Sequence, residues 1–117
     1  MDYFNEGNKL YNNQNYKKAL DYYKKAISNK EKEACSYYNA GVCYIKLKDF
    51  CNAIDMLKHA IKIQRESKYF FNLGYCYAML EDNPNAMINF NLAWATNNDD
   101  KDCERALDLL LKKVWIY

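Results

Sequence analysis

The chain has 117 residues, half of them hydrophobic, with 27% charged and a net charge of +2. That length fits one domain with a continuous but modest core, and so small a charge gives no electrostatic signature of nucleic-acid or anionic-membrane binding. Five cysteines without a CxxC pair, no basic-then-apolar leader and no apolar run near the roughly 18 residues of a membrane span point to reduced thiols in a cytoplasmic setting.

A helix over about 2–13, containing Gly7, opens the chain. Asn15 closes the polar turn after it. Tyr16, Ala19, Leu20, Tyr23, Ala26 and Ile27 then fall at helical spacing and predict a second helix with a one-sided apolar stripe. The pattern recurs. A helix over about 34–47 carries Gly41, Asp49 ends the turn, and Phe50, Ala53, Ile54, Leu57, Ala60 and Ile61 repeat the stripe. It recurs again with Gly74 in a helix over about 67–80, Asp82 in the turn, and Ala86, Met87, Phe90, Ala93 and Trp94. Asn15, Asp49 and Asp82 each offer a side-chain oxygen to an orphan N–H of the following helix. Pro84 sits in a first turn, where its missing N–H costs little. A seventh helix, about 100–115, starts acidic at Asp99, Asp100 and Asp102 and ends basic at Lys112 and Lys113, as the helix dipole favours. Cys103, Leu107, Leu110, Leu111 and Val114 form its apolar face, with Glu104, Arg105, Asp108 and Lys112 opposite.

The three glycines stand 34 and 33 residues apart. Each is followed at a fixed distance by a large apolar residue (Leu10, Tyr44, Tyr77) and by small ones (Ala19, Ala53, Ala86, then Ala26, Ala60, Ala93). A period near 34 predicts an all-α repeat array of three helix–turn–helix units, at about 1–33, 34–66 and 67–98, capped by the seventh helix. Glycine in the first helix and alanine in the second let partner helices approach closely.

These residues resemble the tetratricopeptide repeat family. Its pattern reads here as Tyr3-x2-Glu6-Gly7-x2-Leu10 then Ala19-x3-Tyr23; Tyr37-x2-Ala40-Gly41-x2-Tyr44 then Ala53-x3-Leu57; and Phe70-x2-Leu73-Gly74-x2-Tyr77 then Ala86-x3-Phe90. The departures are Glu31, Arg65 and Asn98 in place of the usual inter-repeat proline, a junction one residue short between the second and third units, and Asn83 where an aromatic is expected. The resemblance implies a single domain over 1–117, built as a right-handed superhelix whose concave wall is made by the first helix of each unit. It also implies a non-enzymatic scaffold that binds other proteins.

Each first helix carries a second face, which by that resemblance lines a groove. The candidates are Phe4, Asn8, Tyr11 and Asn12; Tyr38, Asn39, Val42, Ile45 and Lys46; and Lys68, Phe71, Asn72, Tyr75, Ala78 and Met79. Aromatic anchors with asparagines suit a partner's peptide or helix; the same residues could instead pack between repeats. Some members of the family clamp the acidic C-terminal tails of heat-shock chaperones. Asn8, Asn39 and Lys68 match that clamp, but Phe4 and Asn72 stand at two of its three cation positions. Charge-assisted hydrogen bonds are worth about 1.5–3 kcal/mol each, so their loss would weaken such binding on the order of 10²–10⁴-fold; Lys46 offers partial compensation. A more apolar peptide or a helix is favoured.

No catalytic, metal or cofactor constellation is apparent. Cys43 and Cys76 read as small buried hydrophobes, and His59 as a solvated residue on an outer face, two turns from Cys51 and without paired zinc ligands. Lys17, Lys18, Lys24 and Lys25, with Asp21 four residues before Lys25, read as a solvated helix face. At the end of the sequence, Trp115, Ile116 and Tyr117 either wrap back onto the last helix or offer an assembly surface for a second copy, or a seat that a following element would cover.

Overall fold

The structure, a computed structural model, describes residues 2–97 and 101–115, with the side chains of the last helix described as far as Leu110. All regular elements among the described residues are helices. They fall into two compact units. The first, Met1–Gln64, holds α1 (Tyr3–Asn12), α2 (Tyr16–Ser28), α3 (Glu33–Lys46) and α4 (Phe50–Ile63). The second, Arg65–Tyr117, holds α5 (Ser67–Met79), α6 (Asn83–Thr96) and α7 (Lys101–Trp115).

The helix starts follow from their caps. Asn15, Asp49 and Asp82 accept from the backbone N–H of Lys18, Asn52 and Asn85 at 3.3–3.4 Å. Asp49 and Asp82 also accept 2.7 Å bonds from the Asn52 and Asn85 side chains. The same Asp-x-x-Asn pair, Asp2 and Asn5, opens α1. Glu31, in place of a proline, adds a bond that proline could not make. Its Oε1 accepts from the Phe4 N–H at 3.2 Å, satisfying one of the orphan donors of α1.

The helix ends use an unexpected device. After α1, α3 and α5 the chain turns through Gln14, Lys48 and Glu81, all left-handed at φ near 61°. The next residue's N–H reaches back to Leu10, Tyr44 and Tyr77 oxygens at 2.8–2.9 Å, and the turn residue's own N–H to Tyr11, Ile45 and Ala78. This is the Schellman closure, which ordinarily takes glycine because a Cβ is strained there. Lys48→Gly is therefore expected to stabilise the first unit by about 0.5–1 kcal/mol, read as a raised urea midpoint with an unchanged slope.

The glycines instead lie inside helices, with no positive φ. A Cβ on Gly7 would stand 2.7 Å from the Tyr23 ring, on Gly41 3.0 Å from Leu57, and on Gly74 2.8 Å from the Phe90 ring. Each glycine thus admits the large side chain sixteen residues later on its partner helix. Around these contacts the first unit buries Ala19, Leu20, Tyr23, Ala26, Ala40, Cys43, Ala53, Leu57 and Ala60. In the second unit Ala86, Phe90 and Leu110 form a cluster with Phe71, Tyr77 and Met87 against it.

On α7, Cys103 and Leu110 are buried and Leu107 half-buried, as the stripe requires, while Glu104, Arg105 and Asp108 are exposed. The side chains of Leu111, Val114 and Trp115, and all of Ile116 and Tyr117, lie outside the described residues. Asn83, where an aromatic was expected, starts α6 with a buried Oδ1 that meets no hydrogen-bond donor among the described residues.

Candidate functional site

Within the first unit, α1, α2 and α3 enclose a hollow of about 350 Å³ lined by Asn8, Tyr11, Asn12, Tyr23, Tyr38, Asn39 and Val42. Its floor follows from Gly7. Because Gly7 has no Cβ, the Tyr23 ring lies against α1, and its hydroxyl donates a 2.6 Å bond to Oδ1 of the adjacent Asn8. Asn39 Nδ2 donates to the same oxygen at 3.4 Å. Burial holds the Tyr23 pKa well above the ordinary tyrosine value, reinforced by Cys43 and Tyr11, while the Asn39 amide pulls the other way. The hydroxyl therefore stays a donor at any physiological pH. With its oxygen engaged, Asn8 offers a ligand its Nδ2 donor, and Asn39 offers its Oδ1 acceptor. That pair complements one peptide unit. Tyr11, edge-on to Tyr16 at 5.3 Å, stands on the wall.

Six of the expected groove residues, Asn8, Tyr11, Asn12, Tyr38, Asn39 and Val42, come together here. Tyr23 was expected only as core. The signal for its second role was in the sequence, a tyrosine where the repeat pattern places phenylalanine. Phe4 does not line the hollow. It packs on the Tyr23 ring at 6.0 Å, with the Lys32 ammonium 5.4 Å above its own ring. Lys46 is exposed at the end of α3.

The remaining candidates sit on α5 in the second unit. Lys68 is exposed, with its ammonium 6.0 Å from the Tyr69 ring. Phe71 packs on Phe90 at 5.3 Å and so belongs partly to the core. Asn72 Nδ2 donates at 2.8 Å to the Lys68 carbonyl of its own helix. Tyr75 is exposed.

The lysines of α2 are exposed as expected, and two outer-face side chains make ring contacts the sequence did not show. His59 is not simply solvated: its ring stacks on Tyr37 at 5.0 Å, with Asp55 Oδ1 3.9 Å from Nε2. Asp21 and Lys25 form no ion pair; the Lys25 ammonium lies over the Tyr22 ring at 4.7 Å instead. Cys43 and Cys76 are fully buried, and burial pushes each thiol up to about 12. None of the five cysteines is in a disulfide, and no group of metal-ligating side chains occurs among the described residues.

The two buried thiols set a pH dependence. Their folded pKa values lie above the roughly 8.5 of an unfolded thiol, so the unfolded chain loses those protons first. Their contribution is fully present below pH 8.5 and is lost as pH climbs toward 12. Unfolding midpoints in urea are expected to fall steadily above pH 9, and less steeply in Cys76→Ala.

Tetratricopeptide repeat family profiles match residues 2–32 and 36–67. The chain belongs to the tetratricopeptide repeat family. Its fold is one that serves protein–protein interaction. The tetratricopeptide repeat domain of Arabidopsis OM64 superposes with a TM-score of 0.90 at 23% identity, covering 95% of this chain and 93% of that one. The first such domain of Spaghetti (RPAP3), solved with the HSP90 peptide SRMEEVD, gives 0.91 at 18% identity, covering 96% and 90%. Human mitochondrial import receptor subunit TOM34 is 33% identical over 58 residues, which are 50% of this chain and 19% of that protein's length. No described helix is long and apolar enough to cross a membrane.

Proposed function

We propose that this tetratricopeptide repeat chain is a non-enzymatic scaffold or adaptor whose first helices bind a peptide or helix of a partner protein. The observation that supports the reading is the Tyr23–Asn8–Asn39 network, which engages Asn8 Oδ1 and Asn39 Nδ2 and leaves one amide donor and one amide acceptor outside that network in a tyrosine-lined hollow. Tyr11, Tyr38 and Val42 supply apolar surface for the partner's side chains. In the first unit Phe4 and Lys46 belong to the same proposed surface, Phe4 chiefly as packing under the Tyr23 ring; Lys68, Phe71, Asn72 and Tyr75 are proposed as a contact surface on α5 of the second unit, taken by itself. The absence of any disulfide suits a cytoplasmic setting.

A second reading is supported by the HSP90 peptide bound in the Spaghetti domain. It takes Asn8 and Asn39 of the first unit and, separately, Lys68 of the second as contacts for acidic C-terminal tails. Phe4 and Asn72 in place of cations weigh against it.

Titration of the isotope-labelled chain with two probes tests both readings. One probe is the acidic peptide SRMEEVD, the other an uncharged amphipathic leucine-rich helix. The first reading expects the Asn8 and Asn39 side-chain amide signals to move with the apolar probe, little affected by salt, and Asn39→Ala to weaken binding about tenfold. The second expects them to move with SRMEEVD, reversed by salt. If neither probe moves these signals, the hollow is not a peptide site.

A further inference from the structure

Charge is divided unevenly between the two units. Residues 1–64 hold eleven lysines and seven carboxylates, a net +4; residues 65–117 hold six lysines and arginines and eight carboxylates, a net −2. Two concavities outside the peptide hollow are bordered by side chains of the corresponding sign. In the first unit, Tyr3, Lys24 and Lys25 border a hollow of about 300 Å³ on α1 and α2. The Lys25 ammonium stands 4.7 Å from the Tyr22 ring and 5.7 Å from Tyr3. Neither Lys24 nor Lys25 has a carboxylate partner among the described residues. In the second unit, α6 and α7 form a cleft of about 330 Å³ walled by Met87, Trp94 and Leu107 and rimmed by Glu104 and Asp108. Glu104 is paired only loosely, at 3.6 Å, to Lys101, whose side chain is 77% exposed. Leu109, on the same helix, is 67% exposed.

We infer that the acidic, tryptophan-walled cleft of one copy docks the basic, tyrosine-walled hollow of a second copy. Opposite potentials steer these two surfaces together, whereas matching ends repel, so a symmetric pairing of like surfaces is disfavoured. Lysine stems can lie along Trp94 and Leu107 while their ammonium groups reach Glu104 and Asp108. The contact joins two different surfaces of the chain and is therefore heterologous. The surfaces are separate from the peptide hollow, and the inference stands or falls independently of peptide binding.

Sedimentation equilibrium of the full chain over a wide concentration range tests this, with thermal melts to confirm folding. The average mass is expected to rise above that of the monomer at low salt and to return to it at about 0.5 M salt. Glu104→Lys with Asp108→Lys gives a monomer, and so does Lys24→Glu with Lys25→Glu. Mixing the two reversed variants restores association, because each then presents the complement of the other. A monomer under all conditions overturns the inference. So does association that both reversals leave unchanged, which would point to a different interface.

Discussion

Gly74→Val is expected to destabilise the second unit by about 3 kcal/mol. Gly74 is buried and helical, so its backbone tolerates any residue; space is what it lacks. A Cβ would stand 2.8 Å from Phe90 Cδ1 and 2.9 Å from Cε1. The Phe90 ring is itself buried, with Phe71 packed on it at 5.3 Å, and cannot swing aside. The gain in helix propensity on leaving glycine is under about 1 kcal/mol and does not offset the clash. Gly41→Ala supplies the contrast. There the Cβ meets Leu57 at 3.0 and 3.2 Å, and the propensity gain of about 1 kcal/mol nearly balances the overlap. A double-mutant cycle locates the cause: Gly74→Ala and Phe90→Leu should together cost less than their sum, because the smaller side chain vacates the ring's space. Additive costs, or a Gly74→Val protein that melts with the wild type, would defeat the argument from space.

Asn8→Ala is expected to cost the first unit about 2 kcal/mol, more than Tyr23→Phe at about 1 kcal/mol. Removing the acceptor leaves the buried Tyr23 hydroxyl without its 2.6 Å partner, whereas removing the hydroxyl leaves Asn8 at the edge of an open hollow, where water can reach its oxygen. Asn8→Ala combined with Tyr23→Phe should therefore be more stable than Asn8→Ala alone. That ordering is readable from urea midpoints. The reverse ordering would show that the Tyr23 hydroxyl is satisfied elsewhere and that the network does not orient Asn8.

The sequence made most of the fold legible because its signals are local. The caps at Asn15, Asp49 and Asp82, together with the 34-residue period, placed six helices to within a residue or two. Gly7, Gly41 and Gly74 announced the close approaches. The turns were legible only as polar punctuation. Nothing in Gln14, Lys48 or Glu81 announces a left-handed backbone, since glycine, the usual marker, has been spent inside the helices. Part of the candidate site was legible from spacing, which gathered Asn8, Tyr11, Tyr38, Asn39 and Val42. Spacing could not show that the Tyr23 hydroxyl crosses between helices, nor that Phe4 and Phe71 are drawn into packing. The ring contacts of His59 and Lys25 were not legible for a related reason. Helical periodicity says which way a side chain leaves its own helix, not which ring, Tyr37 or Tyr22, awaits it.

The principal packing in each unit joins helices that follow one another in the chain, α1 with α2, α2 with α3, α3 with α4, then α5 with α6 and α6 with α7. Bringing such neighbours together closes only short loops, so little chain entropy is spent before a contact rewards it. Each unit should therefore find its native arrangement on the microsecond-to-millisecond scale typical of low-contact-order helical proteins. During synthesis, α1 and α2 can associate as soon as the second of them is free to fold, before the later helices exist.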